Sequence, residues 1–114
     1  AIVDTAMKDL LRPSLYDAWM DVIPVTQNST SSSKIYDIVG PVCETGDFIA
    51  KDRNLSIKEN DLLCVCSAGA YGFVMSSNYN SRVRAPELII DKDKIHLARK
   101  RETIDDLLSG EIII

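Results

Sequence analysis

The sequence predicts a mainly β fold, a β-barrel or β-sandwich with a few short helices, in a single domain over residues 1–114. Apolar, β-branched runs recur as short segments separated by turn residues. Segments with helical spacing are short. Strands therefore do not alternate with long helices, as they would in a doubly wound sheet.

The first elements are an apolar strand and a short helix. Residues 1–3 form an apolar triplet typical of a strand already under way, so we expect the chain to be a piece of a longer polypeptide. Apolar residues then recur at near-helical spacing. Pro13 favours the first position of a helix and disfavours helical angles in the residue before it. We therefore predict a break at Arg12 and a short helix from Pro13 to about Trp19.

The rest of the chain consists of short runs, each bounded by turn residues. The run at 62–66 is continuously apolar, as expected of a strand buried on both faces. The predicted elements are a polar loop at 26–33, strands at 35–42, 48–50 and 62–66, a hairpin of 87–90 and 95–98, and helical turns at 102–108 ended by Gly110.

Composition excludes several functional classes. The chain carries 13 basic and 17 acidic residues, a net charge of −4, which opposes binding to nucleic-acid phosphates. No apolar stretch approaches the ~20 residues that cross a bilayer, so we expect no membrane partner. Three cysteines, an odd number, oppose a complete disulfide framework and favour a reducing, cytoplasmic compartment.

Cys43 is the first candidate catalytic residue. It follows a predicted strand and a Gly-Pro turn, and two carboxylates, Glu44 and Asp47, lie close to it in sequence. Burial or a neighbouring carboxylate keeps a thiol protonated, and a protonated thiol in a loop can donate a proton to a carbanion. The alternative is a small buried residue at a turn, because free cysteines usually lie in the core.

The other cysteines and the single histidine do not predict a metal site. Cys64 and Cys66 alternate within an apolar run, so we expect both on one side of a strand, as inert packing. Their spacing does not match the usual zinc pattern. His96 falls on a predicted hairpin strand, where a surface position is expected.

Two further segments carry candidate ligand-binding residues. Small residues at 67–70 allow close approach of a bulky anion, and Tyr71 adds a hydroxyl for a phosphate or a cofactor ring edge. An ordinary strand-to-helix turn is the alternative. Arg12 and Tyr16, one helical turn apart, could present a guanidinium and a phenol to one carboxylate. Here the alternative is a surface ion pair and a half-buried tyrosine.

Four motifs occur in a characteristic order. They are Arg-Pro-Ser-Leu-Tyr-Asp-Ala at 12–18, Gly-Pro-Val-Cys-Glu-Thr-Gly-Asp at 40–47, Ser-Ala-Gly-Ala-Tyr-Gly-Phe at 67–73 and Ser-Asn-Tyr-Asn-Ser-Arg at 77–82. Together they resemble the C-terminal part of the diaminopimelate decarboxylase family, over residues 3–107. The Cys-Glu-Thr-Gly-Asp run is the most specific piece, because ornithine and arginine decarboxylases differ after the cysteine.

The resemblance implies a fold and a reaction. Alanine-racemase-like pyridoxal-phosphate enzymes join an N-terminal (β/α)8 barrel to a C-terminal β-domain, and this chain would be that β-domain. The lysine that forms the Schiff base with pyridoxal phosphate would lie in the barrel. The reaction would convert meso-diaminopimelate to L-lysine and CO2 in lysine biosynthesis, and the isolated chain is expected to be inactive.

The resemblance also implies a role for each candidate residue. Cys43 would donate a proton to the carbanion in the neighbouring subunit's site, across a homodimer interface. Glu44 would bind the substrate's distal amino group, and Arg12 and Tyr16 its distal carboxylate. Tyr71 would contact the cofactor and the substrate. We expect these five side chains to line one cavity that a partner domain completes.

Two other interpretations stay open. A decarboxylase of the same fold could act on another basic amino acid, although ornithine has no distal carboxylate for Arg12 to bind. A non-catalytic homologue could keep the domain for dimerisation or regulation. A purely structural module, however, has no need of all five candidate residues.

Overall fold

The strands of the described residues form three separate two-stranded antiparallel sheets. A computed structural model describes residues 1–26 and 32–114. The pairs are β1 (Val22–Pro24) with β4 (Leu63–Val65), β2 (Lys34–Val39) with β3 (Phe48–Leu55), and β5 (Glu87–Asp91) with β6 (Lys94–Arg99). The helices are α1 (Arg12–Tyr16), α2 (Gly72–Met75) and α3 (Ile104–Leu108), with a 3-10 turn at Tyr79–Ser81. The mainly β fold is confirmed; the strands of the described residues form paired, sandwich-like sheets and not a closed barrel.

The β2–β3 sheet forms the centre of the domain. Ile38 and Ile49 are fully buried in it. The apolar segment 1–3, predicted as a strand, forms only an isolated parallel bridge beside β2: Val39 donates to the carbonyl of Ala1, and Val3 to that of Val39, both at 2.9 Å. The core cluster comprises Leu10, Met20, Val22, Ile38, Ile49, Ala50 and Leu55.

The helix α1 is shorter than predicted and begins one residue earlier. Pro13 lies in its first turn and is buried, in agreement with its preference for that position. The predicted end near Trp19 is wrong, because Asp17 adopts a left-handed conformation (φ 53°) and its N–H donates to the carbonyl of Arg12. The chain therefore leaves the helix after Tyr16, and Trp19 lies outside it.

The strand β4 is not buried on both faces, so that prediction is wrong. β4 pairs only with β1, and its sheet has one covered face. Leu63 and Val65 pack against the core from that face, whereas Cys64 points the other way and is exposed. Cys64 is therefore not the inert packing predicted for it. Cys66 is half-buried, and its burial raises the pKa of its thiol, with smaller contributions from Cys64 and Asp21.

The last elements match their predictions closely. β5 and β6 form the expected hairpin, and His96 is exposed on β6. α3 starts at a capping box in which the Thr103 hydroxyl and the Asp106 carboxylate bond each other's backbone N–H groups. These hydrogen bonds from Thr103 lower the pKa of Asp106.

Most of the predicted polar loop at 26–33 falls on residues 27–31, which lie outside the described residues. Within the described ranges, no helix combines the length and the apolar character that a membrane crossing requires.

Candidate active site

Cys43 lies in the loop that joins β2 to β3, and this loop is built around a buried carboxylate. The Asp47 side chain is 4% exposed and accepts hydrogen bonds from the backbone N–H groups of Met7 and Val42, both at 2.7 Å. The loop is closed by backbone bonds at 2.9 Å from Gly40 N–H to the Asp47 carbonyl and at 3.0 Å from Asp47 N–H to that of Glu44. Cys43 is exposed, so the alternative of a buried cysteine at this turn is wrong.

The exposed Glu44 carboxylate is oriented by two donors. Its Oε1 accepts from the N–H of Gly46 at 3.3 Å, and its Oε2 accepts from the hydroxyl of Tyr79 at 3.4 Å. Tyr79 was not among the candidate residues predicted from the sequence, although it lies within one of the four motifs. No sequence signal could have paired these residues, because they are 35 positions apart.

The segment that carries Tyr79 is held by the carboxylate of Glu102. Asn78 Nδ2 donates to Glu102 Oε2 at 2.7 Å, and the Arg84 backbone N–H donates to the same oxygen at 2.8 Å. Arg84 Nε donates to Glu102 Oε1 at 2.7 Å. The bond from the Arg84 backbone, followed by that from Asn78, holds the pKa of Glu102 below its ordinary value. Glu102 thus fixes both sides of the turn at Tyr79.

The lowered pKa of Glu102 predicts a pH dependence of stability. A carboxyl group whose pKa is lower in the folded than in the unfolded state stabilises the fold at any pH above its pKa in the unfolded state. This stabilisation is lost as the pH falls through the group's pKa in the folded state. We expect Glu102→Gln to lower the melting temperature by a few degrees at pH 7 and by less near pH 3. Thermal unfolding across this range measures the difference. Asp105→Asn, at an exposed position of α3, is the control, and an equal loss at both pH values would contradict the prediction.

A second group of candidate residues lies on α1 and just before α2. The Arg12 guanidinium lies over the Tyr71 ring, with Cζ 5.8 Å from the ring centroid. Tyr71 has a left-handed backbone (φ 63°) immediately before α2, and its side chain is exposed. Tyr16 follows Arg12 by one helical turn and is also exposed. Among the described residues Arg12 makes no ion pair, and Asp9 pairs with Lys8 instead.

Ser14 connects the two groups. Its hydroxyl, on α1, donates to the carbonyl of Gly46 in the Cys43 loop, and the carbonyl of Phe48 lies 3.4 Å away. None of the contacts between described residues joins Arg12, Tyr16 or Tyr71 directly to Cys43 or Glu44. Three surface cavities of the described chain are lined by other residues. The shared cavity stays a prediction.

The residues before α2 fit an aromatic cofactor that carries a phosphate. Residues 67–70 are small and leave the backbone open, and Tyr71 presents an exposed ring and hydroxyl. Within residues 1–26 and 32–114, no group of three or more His, Cys, Asp or Glu side chains is placed to hold a metal ion.

The fold and the candidate site thus define a domain of paired sheets that exposes a thiol and a carboxylate on one loop and carries an arginine–tyrosine pair on other segments. Residues 1–69 match the family model described as the C-terminal sheet domain of pyridoxal-dependent decarboxylases. The chain belongs to this family. The matched residues include Arg12, Tyr16, Cys43 and Glu44, and Tyr71 lies two positions beyond them.

Similar proteins include a diaminopimelate decarboxylase of Pseudomonas aeruginosa, which is 58% identical over the whole chain. The chain spans 27% of that relative's length. A crystal structure of diaminopimelate decarboxylase from M. jannaschii in complex with L-lysine has 33% identity and a TM-score of 0.92, and the match covers 99% of this chain and 26% of that one.

A more distant structure shares the fold alone. The lysine/ornithine decarboxylase of Vibrio vulnificus, complexed with cadaverine, is 23% identical with a TM-score of 0.63, and the match covers 74% of this chain and 23% of that one. The prediction of the family and of its β-domain is confirmed by these comparisons.

Proposed function

We propose that these 114 residues are the C-terminal β-domain of a pyridoxal-phosphate-dependent diaminopimelate decarboxylase, which converts meso-diaminopimelate to L-lysine and CO2. The observation that carries the proposal is the 58% identity to a diaminopimelate decarboxylase along the entire chain. A barrel domain with the Schiff-base lysine would complete the full-length protein. We further propose a cytoplasmic homodimer, in keeping with three free cysteines and an exposed Cys43 loop.

The charged side chains of Glu44 and Arg12 complement the two charged groups at the distal end of the substrate, the Glu44 carboxylate being exposed and Arg12 half-buried. Diaminopimelate carries an ammonium and a carboxylate on the carbon far from the reacting centre. The Glu44 carboxylate binds the ammonium, while the Arg12 guanidinium and the Tyr16 hydroxyl bind the carboxylate. A substrate lacking either group leaves one of these polar partners buried and unpaired in the closed site, which makes the discrimination steep.

Cys43 completes the reaction by supplying a proton. The bond between the reacting carbon and its carboxylate breaks, CO2 leaves, and the electron pair stays on the carbon. The Cys43 thiol gives its proton to this carbon, a C–H bond forms, and the resulting thiolate takes a proton from water. Pyridoxal phosphate, when bound, would supply the electron-withdrawing ring that stabilises the negative charge, and Tyr71 would help to hold that ring.

The two alternative interpretations have weaker support. A decarboxylase for another basic amino acid would not need Arg12, and the lysine/ornithine enzyme aligns with only 74% of the chain. A non-catalytic module would not need an exposed thiol, carboxylate and two phenols together with the half-buried guanidinium of Arg12.

We expect the isolated 114-residue chain to have no decarboxylase activity even with added pyridoxal phosphate, because the imine-forming lysine lies in the barrel. The full-length protein should release CO2 from meso-diaminopimelate and not from ornithine. Release of CO2 and formation of lysine measure both results. Turnover by the isolated chain would contradict the domain assignment, and turnover of ornithine by the full-length protein would favour the alternative decarboxylase.

A further inference from the structure

We propose that Asp47 is a positioning residue for Cys43: its buried carboxylate, held between the backbone N–H groups of Met7 and Val42, sets the place from which the thiol delivers its proton. This inference deepens the proposed function and rests on it. Asp47 itself touches neither substrate nor cofactor in the proposal, and it acts only through the loop.

The contacts of Asp47 make it the structural centre of the loop. Both carboxylate oxygens are used, Oδ1 by Met7 N–H and Oδ2 by Val42 N–H, each at 2.7 Å, as expected of charge-assisted hydrogen bonds. The side chain forms no ion pair with a described residue, so these N–H groups stabilise its charge. Removal of the carboxylate would leave two donors without a partner in a largely buried position.

The positions of the two donors explain how Asp47 can control the position of the thiol without touching it. Val42 directly precedes Cys43, so a shift of the Val42 peptide moves the cysteine with it. Met7 is 40 residues away in sequence and belongs to the segment that leads into α1, which carries Arg12. Asp47 therefore fixes the loop of the thiol to the segment before α1 of its own subunit, and Ser14 makes a second connection between the same parts.

Gly40 provides an independent way to displace this carboxylate. A Cβ at position 40 would lie 2.3 Å from Asp47 Oδ2 and 2.6 Å from its Cγ. No glycine of the described chain has a positive φ, so the backbone at position 40 accepts alanine without strain. The carboxylate could yield to a new methyl group only by breaking its two hydrogen bonds. Gly40 is thus needed because a side chain would collide with the Asp47 carboxylate, and not because of its backbone conformation.

The test is a double-mutant cycle on kcat in the full-length protein. We expect Asp47→Asn to lower kcat for diaminopimelate about tenfold or more, since small displacements of a catalytic group cost up to about 100-fold. In the Cys43→Ala background the same substitution should leave the residual rate unchanged, because the group it positions is gone. A structural role alone would lower both rates alike and would overturn the proposal, as would an unchanged kcat in Asp47→Asn.

Gly40→Ala keeps the proposal testable if Asp47→Asn fails to fold. It should lower kcat in the native background and leave the residual rate of Cys43→Ala unchanged, because the thiol that the loop positions is then absent. Asp37→Asn is the matched control, since Asp37 also accepts a backbone N–H, that of Asp52 at 2.9 Å, but at an exposed position. Unchanged turnover in Cys43→Ala would overturn the proton-donor role itself, a result distinct from failure of Asp47→Asn alone.

Discussion

Replacement of Cys43 by alanine in the full-length protein is expected to lower kcat for lysine formation by about 100- to 10,000-fold, the usual contribution of a general acid. The exposed loop position leaves the thiol free to meet a substrate carbon, and alanine removes its proton without adding bulk. The visible absorbance of bound pyridoxal phosphate should persist, because Cys43 does not hold the cofactor. Lysine formation and this absorbance are the two measurements.

Cys64→Ala is the matched control for this prediction. Cys64 is also a free and exposed cysteine, but it lies on β4 and not in the loop after β2. Its replacement should leave kcat unchanged. Full turnover in Cys43→Ala would remove the thiol from the mechanism, and loss of cofactor absorbance would indicate a binding role instead.

Replacement of Arg12 by alanine is expected to lower kcat/KM for meso-diaminopimelate by about 100-fold or more, because one partner of a charge pair in the closed site is lost. Lysine at this position should recover only part of the loss, since its ammonium cannot form the two parallel hydrogen bonds of a guanidinium. Arg12 also lies over the Tyr71 ring, so alanine removes this contact as well.

The specificity of Arg12 is best measured with a substrate that lacks the distal carboxylate. D-lysine differs from meso-diaminopimelate by that group, so its low rate should be almost the same in Arg12→Ala as in the native protein. Arg101→Ala, at an exposed position, serves as the control and should change neither substrate's kcat/KM. Equal losses of kcat/KM for the two substrates would show that Arg12 does not bind the distal carboxylate.

Local signals predicted the hairpin and the last helix well. The polar turn between β5 and β6 separates two apolar runs, and Gly110 follows α3 by two residues. The Thr103–Asp106 capping box is also a local pattern, complete within four residues. Such elements are predictable from sequence because the residues that form them are close together in the chain.

Two of the errors concern α1 and β4, and that of β4 depends on contacts between distant segments. The apolar run around Cys64 suggested burial on both faces, but β4 pairs with one strand only and exposes this cysteine. The spacing up to Trp19 suggested a longer helix, but Asp17 turns left-handed and ends it. The hydrophobicity of a segment does not show how many neighbouring strands it will pair with in the fold.

The family, the mainly β class and the candidate residues could all be predicted from the sequence, because motifs such as the one at Cys43 are contiguous in the chain. Three contacts became visible in the folded chain alone: Asp47 holds the Cys43 loop to Met7, the Tyr79 hydroxyl donates to Glu44, and the Arg12 guanidinium lies over the Tyr71 ring. The physical reason is that these hydrogen bonds and ring contacts join segments far apart in the chain. They form once the sheets pack and bring those segments together.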